Sequence, residues 1–229
     1  MSLFCIADTH LSLGTDKPMD IFSGWDNYVD QIASNWNRLV APDDLVVIAG
    51  DISWGMKLEE CREDFAFLDR LPGQKWILKG NHDYWFSTKA KVEQYLAAQG
   101  LSTLHILHNN AVPYGDYCIC GTRGWLNEKG ENPDKKIINR EAGRLRMSLE
   151  AGRKLGGEPI VFLHYPPIYG TGDRCEEILN VLHEFEVRRC YYGHLHGKSC
   201  NYAVNGVREQ IDFQLISCDY IQFAPVKVM

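Results

Sequence analysis

The sequence contains no hydrophobic run long enough to cross a membrane. A helix needs about 20 consecutive apolar residues to span the hydrocarbon core of a bilayer, and no run here approaches that length. The first residues also lack a basic segment followed by an apolar one, which is the pattern of a secretory signal. We therefore expect a soluble, cytoplasmic protein with no membrane partner.

The chain also has little positive charge. Its 24 Lys and Arg residues are outnumbered by 30 Asp and Glu residues, which gives a formal net charge of −6. Proteins that bind the phosphate backbone of nucleic acids usually carry a basic face. The composition therefore argues against a nucleic-acid partner.

The eight cysteines lack the paired spacing of a zinc site. Three of them, Cys5, Cys118 and Cys190, lie inside apolar runs. In a chain of this length without a secretory signal, we expect reduced thiols that serve as small core residues and not disulfides.

What the sequence does have is enough apolar material for a sizeable core, with 45% hydrophobic residues among 229. No repeat, low-complexity tract or linker divides it, so we predict a single domain over residues 1–229. Up to Gly100, apolar strand-like runs alternate with segments of helical periodicity, which is typical of a parallel α/β layer. From Arg189 onward the pattern indicates strands, which predicts a second, mixed sheet.

Some local predictions are specific. Ser87 is predicted to cap a helix that ends at Gly100. Residues Asn127 to Lys136 are rich in Gly, Asn, Glu and Lys and are predicted to form a solvated loop. Ser199 to Ala203 and Ile221 to Val228 are predicted to be strands.

Five short apolar runs end on a carboxylate, amide or imidazole. The clearest is Lys79-Gly80-Asn81-His82-Asp83, directly behind Trp76-Ile77-Leu78. Polar groups without partners are costly in a core, so such residues indicate a site at the edge of a sheet. The other four segments are Ile6 to His10, Val47 to Asp51, Val161 to His164 and Tyr191 to His196.

The spacing of these residues suits metal binding. Side chains two apart in an extended segment point the same way, so Asp8 with His10, and His194 with His196, can each hold one ion. Carboxylate and imidazole suit Mn²⁺, Fe or Zn²⁺ without selecting among them.

Three further residues complete the ligand set. Asp51 supplies a carboxylate that can bridge two ions, Asn81 offers a neutral amide oxygen, and His164 adds an imidazole. Singly, each could be a turn residue satisfied by local hydrogen bonds. Together they indicate a site for two ions, because such a cluster needs compensating charge.

The order of these motifs resembles the calcineurin-like metallophosphoesterase superfamily: Asp-x-His, Gly-Asp, Gly-Asn-His-Asp, a lone His and Gly-His-x-His. The resemblance covers most of the chain. It implies an α/β fold in which two mixed sheets pack face to face as a double β-sandwich with flanking helices, in four layers.

The resemblance also implies the site and its chemistry. Two divalent or trivalent ions (Mn, Fe or Zn) would activate a bridging hydroxide that attacks a phosphate mono- or diester of a small or medium substrate. His82 corresponds to the proton donor to the leaving group. The implied ligands of one ion are Asp8, His10, Asp51 and His196, and those of the other are Asp51, Asn81, His164 and His194.

The sequence departs from the family's protein phosphatases, which extend the second motif to Gly-Asp-x-x-Asp-Arg-Gly. Here Trp54 and Gly55 stand in place of that Asp and Arg. Asp83 is then the candidate to orient His82, and Arg123 is a candidate phosphate ligand. Phosphoprotein phosphatase activity is accordingly disfavoured.

Several aromatic residues follow predicted strand ends, and they allow two interpretations. They could form a wall on which a flat leaving group stacks, with Trp54 and Tyr165 as substrate contacts, or they could pack beneath loops. Two other functions also stay open: a non-catalytic binding or scaffold module on the same fold, and a nuclease.

Overall fold

Eleven strands and five α-helices make up the regular structure of the computed structural model, which describes residues 1–125 and 134–229. The strands are β1 (Leu3–Ile6), β2 (Leu45–Ala49), β3 (Gln74–Leu78), β4 (Leu104–Ile106), β5 (Ala111–Tyr114), β6 (Tyr117–Thr122), β7 (Glu158–Leu163), β8 (Arg189–Tyr192), β9 (Gly206–Arg208), β10 (Ile211–Leu215) and β11 (Val226–Lys227). The α-helices are α1 (Tyr28–Leu39), α2 (Arg62–Arg70), α3 (Lys89–Ala98), α4 (Lys135–Leu155) and α5 (Glu176–Glu184). Two 3₁₀ helices cover Met19–Ile21 and Gly197–Tyr202.

These elements belong to two compact units. Unit 1 comprises Met1–Ile106 together with Ile216–Met229, and unit 2 comprises Leu107–Leu215. Each unit has one sheet and its own cluster of buried apolar side chains. The single domain over residues 1–229 stays a prediction.

Unit 1 contains a five-stranded sheet in the order β11-β1-β2-β3-β4. Strands β1 to β4 are parallel, and β11 pairs with β1 in the antiparallel sense. Every residue of β1 and β2 is buried, as expected for parallel strands covered on both faces. Ile6 pairs with Ile48, and Ile48 with Ile77. The three strands therefore end level, and the segments after them leave the same edge.

Unit 2 contains a six-stranded sheet in the order β5-β6-β7-β8-β10-β9. Its four central strands are parallel, whereas β5 and β9 are antiparallel edge strands. Thr122 pairs with Leu163, and Leu163 with Tyr192, so β6, β7 and β8 also end level. The predicted α/β class with two mixed sheets and helices is confirmed, while the face-to-face packing of the sheets stays a prediction.

Helix α4 illustrates how local sequence sets an element's limits. Asp134 caps its start by accepting hydrogen bonds from the N–H groups of Lys136 and Ile137, and Gly156 ends it with a left-handed φ of 82°. At 21 residues it is the longest described helix. None of the helices in the described ranges, α4 included, has the apolar stretch required to cross a bilayer.

The structure corrects some local predictions. The N-cap of α3 is Thr88 and not Ser87. Ser199–Ala203 is not a strand, because most of it belongs to the 3₁₀ helix Gly197–Tyr202, in which the Ser199 side chain bonds the backbone of the N-cap residue His196. In the segment Ile221 to Val228 only β11 is a strand. The predicted loop Asn127 to Lys136 lies mainly outside the described residues, and its last two residues begin α4.

The cysteines agree with the prediction, since all eight fall within the described ranges and none of them forms a disulfide there. Seven are buried, and Cys200 is half-buried. They act as small apolar side chains within the two units.

Lys75 is a buried amine inside unit 1. Its Nζ donates to the carbonyl oxygens of Leu71 and Asp69 and to Thr103 Oγ1, at 3.0 Å in the last case. It thereby ties the end of α2 to β3 and to the segment that precedes β4. Burial lowers the pKa of the Lys75 amine to about 8.

This burial predicts a pH-dependent stability. Between pH 8 and about 10.5 the unfolded chain keeps the Lys75 proton while the folded protein has lost it, so the free energy of unfolding should rise with pH. The rise across the window should be roughly 3 kcal/mol. Urea denaturation of the wild type and Lys75→Met at several pH values measures it, and the difference between the two curves isolates Lys75. If the free energy of unfolding changed with pH in the same way in both proteins, the prediction would be contradicted.

Candidate active site

In unit 1, the segments that follow β1 and β2 run side by side. The N–H of Asp8 donates to the Gly50 carbonyl, and that of His10 to the Asp51 carbonyl, each at 2.9 Å. His10 Nε2 lies 3.7 Å from Asp51 Oδ2, and both side chains are buried. The backbone ladder thus brings together two of the residues predicted as ligands.

Three predicted ligands in this unit have strained backbones. Asp8, His10 and Asp51 adopt left-handed φ values of 60°, 43° and 51°. The left-handed region costs a non-glycine residue about 1–2 kcal/mol. Such conformations persist when surrounding contacts over-determine them, and they cluster at functional sites. Here the ladder of hydrogen bonds supplies those contacts.

The Asp83 carboxylate connects the loops after β2 and β3. Its Oδ2 accepts the N–H groups of Asp51 (2.9 Å) and Gly80 (2.7 Å), and its Oδ1 accepts that of Ile52 (2.8 Å) and Nε1 of Trp85 (3.0 Å). The side chain is fully buried. Asp83 therefore fixes the backbone that carries the predicted ligands, a role that its position next to His82 did not reveal.

Gly80 allows these two loops to approach closely. A Cβ built on it would lie 2.1 Å from Asp51 Oδ1, so no larger residue fits. The same Oδ1 accepts the N–H of His82 at 2.8 Å. Asn81 lies between these two anchored residues, and the chain around it is held from both sides.

Trp54 contacts two histidine rings, His10 and His82, whose own centroids are 5.8 Å apart. Its indole stacks on His10 at 4.9 Å between ring centroids and contacts His82 at 4.6 Å. Its buried Nε1 has no hydrogen-bond partner among the described residues. Trp54 is therefore placed to hold both imidazoles, and it stands where the protein phosphatases have the Asp of their extended motif.

Asp64 is a supporting residue that the sequence analysis missed. This buried carboxylate on α2 accepts the Leu13 N–H at 2.7 Å and the Ser53 hydroxyl. It thus anchors the segments beyond His10 and Asp51. Burial raises its pKa to about 6. The signal was available, because Asp64 is three residues after Cys61 on the apolar face of the helix.

In unit 2, the segments after β6, β7 and β8 meet at one edge. The Arg123 carbonyl accepts the N–H groups of His164 (3.0 Å) and Tyr165 (2.9 Å), and the His164 carbonyl accepts that of Gly193 (3.1 Å). The rings of His164 and His194 lie 5.2 Å apart. Two of the predicted ligands are therefore neighbours in this unit.

The segment of His194 and His196 is also constrained. His194 has a left-handed φ of 75°. The buried Tyr165 ring lies 4.2 Å from the His194 ring, so it supports this histidine. The N–H of His196 donates to Ser199 Oγ at 2.8 Å.

Arg123 is already engaged by a carboxylate. Its Nη2 donates to Glu141 Oε1 at 3.2 Å, and its guanidinium covers the Trp125 ring at 5.0 Å. Glu141 is fully buried and also binds Arg144 at 2.7 Å. These contacts engage one nitrogen and one face of the guanidinium, and the role of Arg123 as a phosphate ligand stays a prediction.

The aromatic residues after the strand ends divide between the two interpretations. Trp85 is buried and bonded to Asp83, so it packs beneath a loop. Tyr84 is 56% exposed, with its ring 6.1 Å from that of His82. It is placed to contact a ligand that approaches His82.

The residues fit a metal site. Asp8 and Asp51 are buried carboxylates, and the neighbouring His10 can be a neutral imidazole ligand. Two buried negative charges without compensation would cost several kcal/mol, which bound cations offset. Carboxylate, imidazole and amide are the donor types that Mn, Fe and Zn accept.

Comparison with known families settles the relationship. The model of the calcineurin-like phosphoesterases matches residues 1–198. The chain belongs to this family. Its members are generally hydrolases that bind divalent metals, which agrees with the donor set of unit 1. No curated protein matches the chain.

Solved structures share the fold of this calcineurin-like phosphoesterase at low sequence identity. The phosphopantetheinyl hydrolase of Mycobacterium tuberculosis has 13% identity and a TM-score of 0.60, covering 100% of this chain and 95% of its own. A protein from Thermus thermophilus has 13% identity and a TM-score of 0.56, covering 85% and 81%. An Aquifex aeolicus protein of unknown function has 14% identity and a TM-score of 0.53, covering 99% and 95%.

We predict that Asp83→Asn destabilises the protein. An amide nitrogen would face backbone N–H groups that now donate to a carboxylate, and each buried group left unpaired costs about 1–3 kcal/mol. The free energy of unfolding, from urea denaturation, should fall by about 2–4 kcal/mol, and metal affinity should fall with it. The matched exposed change Asp26→Asn should alter neither quantity. Unchanged stability in Asp83→Asn would contradict the role.

A second prediction separates two roles for Trp54. If it holds His10 and His82, Trp54→Ala should lower kcat by about tenfold or more with little change in KM, and metal affinity should drop about 10–100-fold. Trp54→Phe, which keeps a ring, should recover most of both. Steady-state kinetics and metal titration provide the test. An increase in KM alone would instead make Trp54 a substrate contact.

Proposed function

We propose that this protein is a metal-dependent hydrolase of phosphate mono- or diesters of a small or medium substrate. The observation that carries the proposal is the arrangement in unit 1. There His10 and Asp51 lie 3.7 Å apart and His82 is anchored on the same Asp51 carboxylate. Membership of a generally hydrolytic family supports it.

The proposed ligand set follows the family's motifs. Buried carboxylates and left-handed backbones at strand ends in unit 1, and adjacent imidazoles in unit 2, support it. Mn, Fe and Zn are the candidate ions, because the donors do not select among them. The residues proposed to hold one ion are Asp8, His10, Asp51 and His196, and those proposed to hold the other are Asp51, Asn81, His164 and His194.

Two ions, when bound, would supply activated water at neutral pH and would offset charge on the phosphoryl oxygens. The residues of the chain would hold the site in place and transfer a proton. Asp83 and Gly80 fix the loop of His82, and the Asp51 carboxylate holds the His82 backbone. The role that we propose for the His82 ring is to protonate the departing oxygen.

The substrate class follows from the site and not from its structural relatives. One of these is a phosphopantetheinyl hydrolase, but at 13% identity the likeness extends to the fold alone. The sequence lacks the Asp and Arg of the protein-phosphatase motif, and Trp54 occupies the Asp position. We therefore propose a small or medium phosphoester over a phosphoprotein.

The leaving group tests the role of His82. In His82→Ala, hydrolysis of aryl phosphodiesters should slow by about 10²–10⁴-fold for poor leaving groups, which need a proton. For 4-nitrophenolate, which leaves without one, the loss should be much smaller. Rates across a series of phenols of increasing pKa in the presence of Mn²⁺ measure this, with metal content confirmed by elemental analysis.

Asp51→Asn is the companion variant. It should lose both metal and activity on every substrate in the series, because it removes the carboxylate proposed to bridge the ions. A uniform loss across the series in His82→Ala would contradict the proton-donor role. Metal-independent hydrolysis by the wild type would contradict the proposal as a whole.

Two control measurements address the other functions. A scaffold protein on this fold would bind no metal, so elemental analysis of the wild type distinguishes it. A nuclease would bind DNA tightly at low salt and release it as salt increases. Fluorescence titration with single- and double-stranded DNA decides that point.

A further inference from the structure

A pocket of about 600 Å³ adjoins His194 within unit 2. This volume lies in the range of about 300–1,000 Å³ that small-molecule sites occupy. The residues that line the pocket are Tyr169, Thr171, Asp173, His194, Leu195, Ser199 and Tyr202.

Backbone hydrogen bonds build one wall of this pocket. Residues 168–174 form a tight turn in which the Tyr169 N–H donates to the Asp173 carbonyl at 2.8 Å. The N–H of Gly170 donates to the Tyr202 carbonyl at 2.7 Å, which ties the turn to the 3₁₀ helix Gly197–Tyr202. The two tyrosines therefore belong to segments that are bonded to each other.

The lining combines ring and aliphatic surface with polar groups and one charge. Tyr169, Tyr202 and Leu195 supply the apolar surface, and Thr171, His194 and Ser199 supply uncharged polar groups or an imidazole. Among the residues that line the pocket in the described part of the chain, Asp173 alone is an acid, and no lysine or arginine lines it. The Thr171 hydroxyl donates to Asp173 Oδ2 at 2.8 Å, which fixes the carboxylate at the rim.

From this we infer that the pocket binds the organic arm of the phosphoester, and that it selects an uncharged or cationic arm with an aromatic or apolar face. The inference rests on the proposed function, which makes His194 a metal ligand and so places the phosphate next to the pocket. An arm that carries a further phosphate or carboxylate would meet Asp173 and no cation.

Binding of four phosphonates that differ only in the arm tests this class. The ligands are methylphosphonate, phenylphosphonate, 4-carboxyphenylphosphonate and 4-(trimethylammonio)phenylphosphonate, titrated calorimetrically into the Mn²⁺-loaded protein. We expect phenylphosphonate to bind at least about fivefold more tightly than methylphosphonate, because it gains an aromatic contact. The carboxylate should weaken binding about three- to tenfold, and the trimethylammonium group should not.

Substitutions of residues that line the pocket test which side chains produce these binding preferences. Tyr202→Ala should abolish the phenyl-over-methyl preference, and Tyr202→Phe should keep it. Asp173→Asn should reduce the difference in binding affinity between 4-carboxyphenylphosphonate and 4-(trimethylammonio)phenylphosphonate. Asp116→Asn, an exposed acid in the turn between β5 and β6, is the matched control and should change no ratio.

Hydrolysis of four 4-nitrophenyl phosphodiesters, each esterified with one of the same organic groups, separates this inference from the proposed function. Equal affinities for all four phosphonates, or no binding, would overturn the inference even if the diesters are hydrolysed. The expected preferences without hydrolysis would support the pocket while contradicting the proposed catalysis.

Discussion

The arrangement of the site depends on one buried carboxylate that binds backbone N–H groups from two loops. Asp83 accepts the N–H groups of Asp51 and Ile52 after β2 and that of Gly80 after β3. A carboxylate has two oxygens with about four acceptor sites, twice as many as a neutral amide or hydroxyl side chain, so it can accept all of these N–H groups at once. The loops are consequently held close enough that the position of Gly80 admits only glycine.

This bonding explains how strained residues persist. Asp8, His10 and Asp51 have left-handed backbones, and the ladder between their segments, together with Asp83, offsets that cost. A site held in this way needs little reorganisation when charge develops on a substrate, which is the main requirement of electrostatic catalysis. Asp64 extends the support outward by anchoring the next residues of both segments.

Trp54 shows how this chain differs from the protein phosphatases of its superfamily. They have a carboxylate at this position, whereas here an indole plane lies against His10 and His82. A carboxylate orients an imidazole by a hydrogen bond, while a ring does so by van der Waals contact and keeps water away.

The sequence alone determined the fold class, the family and the residues at the strand ends. Apolar runs that stop on Asp, Asn or His are local signals, and five in a fixed order identify the superfamily. Only the tertiary structure shows which groups Asp83 binds. The same is true of the stacking of Trp54 on His10 and of the pairing of Arg123 with Glu141. These contacts join residues far apart in the chain, 32 positions in the case of Asp83 and Asp51. Their geometry is set when strands pack in register, and no local pattern records which buried carboxylate then meets which backbone N–H.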